Sequence, residues 1–297
     1  MKLDISREDF PRSTASAAGM ITIDPPADHH TMQMIRDIPY VRRGDLTLSV
    51  QLILPDTAHA PLIVYVTGSA FHRQDIAGTL PRLSLLADKG YAVASVQYRG
   101  VEDAVFPAQV LDAKAAVHFL RAHAAEYGYD AENIFLMGDS SGGHTALLAA
   151  LTDGIPALSE TEASVAVRGV IAHYPPTDMA RMAEQPSNTD HDTADCPEAL
   201  LIGGKRVSEH PELIAKTAVT QFVTAEREIP PVLLFHGTND ETVPFHQSCL
   251  LFDRLRDTGK DAAFYAVEGA HHGGRAFWSE TVLRITCDFV QKHITAR

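Results

Sequence analysis

Phe135-Leu136-Met137-Gly138-Asp139-Ser140-Ser141-Gly142-Gly143-His144 decides how this chain is to be read. Its first three residues are apolar and suit a strand buried on both faces, whereas the residues after Ser140 are small and suit a helix packed closely on that strand. Between them stands the pattern Gly-x-Ser-x-Gly, from Gly138 to Gly142. A sharp strand-to-helix turn lifts a serine hydroxyl clear of the backbone, and glycine on either side lets strand and helix approach without side chains colliding. Ser140 is then expected at a helix N-terminus, beside N–H groups that lack carbonyl partners and favour negative charge.

Outward from this segment the same alternation recurs. Leu62–Val66, Tyr91–Val96, Val167–Ala172, Val232–Phe235 and Ala262–Val267 are short apolar runs, like Ile134–Met137. Between them, Pro81–Asp88, Pro107–Tyr127, Gly142–Leu151, Gln247–Asp257 and Phe277–His293 carry helical periodicity. Alternating buried strands and helices require crossover connections and a mostly parallel sheet. From Ile38 to Leu54 two alternating runs flank Arg43-Gly44-Asp45 and predict an antiparallel hairpin. The expected fold class is α/β: a mostly parallel, twisted, doubly wound sheet with helices on both faces. Residues 1–36, with Pro25-Pro26 and His29-His30, read as a polar lead-in, and 37–297 as a single domain. An irregular interval at about 174–211, rich in Pro, Asp, Asn and Thr, reads as a small cap insertion.

An alcohol at neutral pH needs a base to become a nucleophile, and the base needs a carboxylate to orient it. Asp240 follows the Val232–Phe235 strand, and His271-His272 follow the Ala262–Val267 strand. Both loops are expected at strand carboxyl ends, on the same rim as Ser140, where open α/β sheets place their ligands. Acyl transfer also needs donors for an oxyanion. The Ser141 N–H is one candidate, and the loop Thr67-Gly68-Ser69-Ala70-Phe71 after the first central strand offers others.

Composition narrows the classes. The 297 residues hold 25 Lys+Arg against 38 Asp+Glu, a net charge of −13, which repels phosphate backbones and argues against a general nucleic-acid binder. No apolar run approaches the ~20 residues that span a bilayer, and the first residues lack the apolar core of a secretory signal. Three widely spaced cysteines (Cys196, Cys249, Cys287) form neither a disulfide framework nor a CxxC pair, so a reduced cytoplasmic setting is expected. Fifteen histidines raise the question of a metal, but there is no His-Glu-x-x-His. No cofactor and no metal are expected.

Taken together, Tyr98-Arg99 with Phe106-Pro107-Ala108, Gly138 to Gly143, His236-Gly237-Thr238-Asn239-Asp240 through Val243-Pro244, and Gly269 to Gly274 resemble the α/β-hydrolase fold. More narrowly, they resemble the hormone-sensitive-lipase-like esterases and their bacterial feruloyl-esterase-like relatives, over most of residues 60–295. The resemblance implies Ser140 as nucleophile, Asp240 as acid and His272, rather than His271, as base, because the family pattern reads Gly-Ala-x-His-Gly. It places Ser69 and Ala70, with Ser141, at the oxyanion donors, although Thr67-Gly68-Ser69-Ala70 replaces the family's His-Gly-Gly-Gly. It implies a cap over the pocket that uses Met179 and Met182. The implied activity is hydrolysis of small to medium carboxylic esters, hydroxycinnamoyl and acetyl esters among them. An amidase or formamidase with the same triad, and a catalytically idle ligand-binding relative, are the alternatives. The expected partner is a small-molecule ester, with no nucleic acid and no membrane; assembly into a homo-oligomer stays open.

Overall fold

Strands β1 (Met32–Arg43), β2 (Leu46–Pro55), β3 (Pro61–Val66), β4 (Ala92–Val96), β5 (Asp130–Asp139), β6 (Val170–His173), β7 (Val232–Gly237) and β8 (Ala262–Val267) make one sheet in the computed structural model. Their order is β1-β2-β4-β3-β5-β6-β7-β8. β3 to β8 run parallel, whereas β1 pairs antiparallel with β2 and β2 antiparallel with β4. The expected mostly parallel sheet with an antiparallel hairpin at one edge is what forms. Residues 5–6, 8–24 and 31–295 are described, and the chain divides into two units, Met1–His30 and Thr31–Arg297. Among the described residues of the first unit there is no helix or strand, and Pro25-Pro26 and His29-His30 lie outside the described residues. Strand β1 begins at Met32, so the end of the segment read as lead-in belongs to the sheet. Its outer residues are polar or exposed because an edge strand joins by main-chain pairing, here Met32 opposite Pro55 and Gln33 opposite Leu54, and not by burial.

The helices are α1 (Leu80–Asp88), α2 (Ala108–Ala122), α3 (Ala124–Tyr127), α4 (Ser140–Leu151), α5 (Pro197–Leu201), α6 (Pro211–Ile214), α7 (His246–Asp257) and α8 (Glu280–His293). Period-2 geometry sends alternate strand residues to opposite faces. Leu62, Val64 and Val66 of β3 join Leu136, Val170 and Leu234 in one apolar layer beneath α2, α4 and α7. Ile63 and Tyr65 join Phe135, Met137, Ile171 and Phe235 in the other, against α1 and α8. The continuously apolar strands follow from helices on both faces. Two expected helices depart most from their expected limits. Pro107–Tyr127 breaks at His123 into α2 and α3. The last helix starts at Glu280 and not Phe277, because the Ser279 hydroxyl accepts from the Val282 N–H and caps it.

The interval between β6 and β7 holds only short helical turns, including α5 and α6, and builds its own apolar cluster. Met179 and Met182 lie inside that cluster with Leu201 and Ile214, each 1 % exposed. They therefore present no surface to a ligand and serve inside the interval, as part of its own apolar centre. The same cluster includes Phe71 and Val243, so it ties together the loop after β3 and the loop after β7.

Candidate active site

Ser140 stands where β5 gives way to α4, with φ of +50°, a left-handed conformation rare for a residue with a side chain. The close approach that permits this turn is visible in its glycines. A Cβ on Gly142 would collide with the backbone of Val66 and Thr67, and one on Gly138 would lie 2.5 Å from the Gly142 carbonyl oxygen. Ser141 to Leu151 are all buried, so α4 runs inward from the bend.

Asp240 and the histidine loop sit at the carboxyl ends of β7 and β8, as the parallel sheet requires. His272 Nε2 is 3.0 Å from Ser140 Oγ, and its Nδ1 is 2.7 Å from Asp240 Oδ2. A carboxylate only accepts, so the proton on Nδ1 donates to Asp240 and leaves Nε2 free to take the Ser140 proton. His271 turns outward, its side chain 69 % exposed and its Nδ1 on Glu241 Oε2 at 3.0 Å. Of the two adjacent histidines, only His272 reaches the serine.

Asp240 is held on every side. Its Oδ1 accepts from the N–H groups of Thr242 (2.9 Å) and Val243 (2.8 Å), while His236 Nε2 lies 3.2 Å from Oδ2. Burial opposes its ionisation, but the donors from His236 and His272 outweigh that and hold its carboxyl well below the ordinary carboxylate range. It stays charged wherever an imidazole needs orienting.

Ala70 and Phe71 both have positive φ, +52° and +66°, in the loop after β3. The N–H groups of Ala70 and Ser141 have no acceptor among the described residues. Ser69 departs from the expectation: its N–H donates to Ser141 Oγ at 2.9 Å. The Ser141 hydroxyl reaches back across the bend and supplies the acceptor that this amide needs.

Three contributors were not recognisable as such from sequence. His236 backs Asp240 and accepts or donates at Nδ1 with Ser248 Oγ, 2.7 Å away. Glu241 holds the histidine loop, its Oε2 accepting from His271 and from the His272 N–H at 3.3 Å. Tyr174, at φ of +40°, sets its ring edge-on to the His272 ring with centroids 4.7 Å apart. His236 and Glu241 flank the acid in sequence, but Tyr174 is remote from both and carries no local signal. Among the described residues no cluster of His, Cys, Asp and Glu could hold a metal ion, and no helix is long and apolar enough to cross a membrane.

Residues 50–255 match the BD-FAE family. The chain is 28 % identical over 228 residues to a probable carboxylic ester hydrolase, LipM, of Mycobacterium tuberculosis, covering 76 % of this chain and 50 % of that one. It is 30 % identical over 246 residues to the esterase LipQ of the same organism, covering 80 % and 56 %. The chain thus spans about half the length of the curated relatives it matches. In three dimensions it is similar to a truncated carbohydrate esterase from gut microbiota, with a TM-score of 0.78, 27 % identity, and coverage of 91 % of this chain and 98 % of that one.

Proposed function

The chain belongs to the BD-FAE family and has the α/β-hydrolase fold, and on that premise we propose that it is a carboxylic ester hydrolase acting through an acyl-enzyme on Ser140. The observation that carries this is the unbroken hydrogen-bonded line from Ser140 Oγ through His272 to Asp240, with distances of 3.0 and 2.7 Å. His272 Nε2 takes the Ser140 proton as the oxygen attacks the ester carbonyl. The N–H groups of Ala70 and Ser141 receive the developing oxyanion, while Ser69 holds Ser141 in place. The imidazolium then gives its proton to the departing alcohol. A water molecule, deprotonated in the same way, releases the acid. Asp240 keeps its charge throughout and fixes the tautomer.

The substrate class follows from the same resemblances. Small to medium esters, including acetyl and hydroxycinnamoyl esters of sugars, suit a chain similar to a carbohydrate esterase. The complete hydrogen-bonded triad supports hydrolysis over the idle ligand-binding reading. Ser140→Ala should remove hydrolysis of p-nitrophenyl acetate and labelling by a fluorophosphonate while leaving the circular dichroism spectrum unchanged. Wild-type turnover in that variant would overturn the proposal.

A further inference from the structure

Asp139, the residue before the nucleophile, is 7 % exposed and has no ion-pair partner among the described residues. Removing a carboxylate from water costs several kcal/mol unless its oxygens are satisfied. Here three donors do so, two from β3 and the loop that follows it and one from the residue after β6. Tyr65 OH of β3 donates to Oδ1 at 2.7 Å, the Gly68 N–H to the same oxygen at 2.8 Å, and Tyr174 OH to Oδ2 at 3.2 Å.

Two of these donors belong to segments that meet the reacting atoms. Gly68 immediately precedes Ser69 and Ala70 in the loop that presents the oxyanion donors. Tyr174 carries the ring that lies edge-on to His272. Both segments are also strained: Ala70, Phe71 and Tyr174 hold positive φ values of +52°, +66° and +40°. Left-handed backbone is costly at residues with side chains and persists only where the surroundings impose it. Asp139 is itself fixed as the last residue of β5, directly paired with His173. It is therefore a rigid point from which a charge-assisted hydrogen bond reaches each strained segment.

We infer that Asp139 is a positioning residue that holds the oxyanion loop through Gly68 and the His272 ring through Tyr174, so that one carboxylate aligns both halves of the acyl-transfer site. The inference rests on the ester-hydrolase reading of Ser140. The test compares Asp139→Leu, which removes every acceptor, with Asp139→Asn, which keeps an amide oxygen for Gly68 and Tyr65. Active sites are first counted by stoichiometric fluorophosphonate labelling, and kcat is then expressed per labelled site. A residue that merely supports folding changes the number of labelled sites and leaves kcat per site alone.

The expected result for Asp139→Leu is a fall in kcat per site of roughly a hundredfold, the scale of losing one oxyanion donor, with KM steady to within about threefold. Asp139→Asn should recover kcat per site to within about tenfold of wild type. Unchanged kcat per site in Asp139→Leu, or an Asn variant as slow as the Leu variant, would overturn the inference. If Asp139→Leu does not fold, Tyr65→Phe with Tyr174→Phe takes its place, since the pair removes two of the three hydrogen bonds without disturbing ring packing. That double variant should lose about tenfold in kcat per site, and wild-type kcat would overturn the inference equally. Failure of wild-type protein to label at all would refute the Ser140 reading instead, so the two failures are distinguishable.

Discussion

His173, the last residue of β6, is 1 % exposed, and neither of its ring nitrogens has a hydrogen-bond partner among the described residues. Its ring is enclosed by Phe235 at 5.2 Å, Phe277 at 5.5 Å and Trp278 at 6.0 Å between centroids. Burial penalises the imidazolium and pushes its pKa down to about 4. In the unfolded chain the same ring titrates near 6.5. Below that pH the unfolded state binds a proton that the folded state refuses, so stability is complete above about 6.5 and is lost as pH falls toward 4. Integrated down to pH 5, the loss from this residue is about 2 kcal/mol.

His173→Phe removes both unpartnered nitrogens and keeps an aromatic ring in an aromatic site. At pH 7.5 the variant should gain on the order of 1 kcal/mol from relief of the unmet polar atoms. At pH 5 that advantage should grow by about 2 kcal/mol, because only the wild type then carries the linkage cost. Equilibrium urea unfolding at both pH values measures the difference. Trp278, the single tryptophan, reports fluorescence from beside the mutated ring, and far-ultraviolet circular dichroism checks that the transition is two-state. An advantage that is the same at both pH values would refute the reasoning, since it would mean that His173 titrates in the fold as it does in the unfolded chain.

Other expectations follow from single contacts. His272→Ala should reduce kcat/KM by at least about a thousandfold, whereas His271→Ala should change it by less than about tenfold, in initial-rate assays on a p-nitrophenyl ester. The opposite pattern would reverse the assignment of the base. Gly142→Ala should destabilise the fold by at least about 3 kcal/mol in urea unfolding, because the new methyl meets the backbone of Val66 and Thr67 rather than a side chain that can move. A variant of wild-type stability would show that β3 and α4 can part without cost.

Much of the architecture was legible because its causes are local. Continuously apolar strands, helices with a buried stripe and a small-residue segment after a strand each constrain the layer they can occupy. The carboxyl-end rule then put Ser140, Asp240 and the histidine pair on one rim without any coordinates. Less was legible where a role depends on direction. Met179 and Met182 read as members of a cap, but not the direction in which they point: the interval after β6 needs an apolar centre of its own and encloses them. Ser69 sits in the right loop, but its amide points to Ser141 Oγ, a choice made by a side chain 72 residues away.

What the linear order determined by itself is the succession of buried strands and helices and the placement of three reactive side chain types after three of those strands, because periodicity and turn chemistry act between near neighbours. What only the folded state decided is which amides remain without acceptors, how Glu241 holds the loop of the two imidazoles, and where the carboxylate of Asp139 is aimed. Those outcomes depend on hydrogen bonds between segments far apart in the chain, and such bonds exist only once packing has brought donors and acceptors within 3 Å or so of one another.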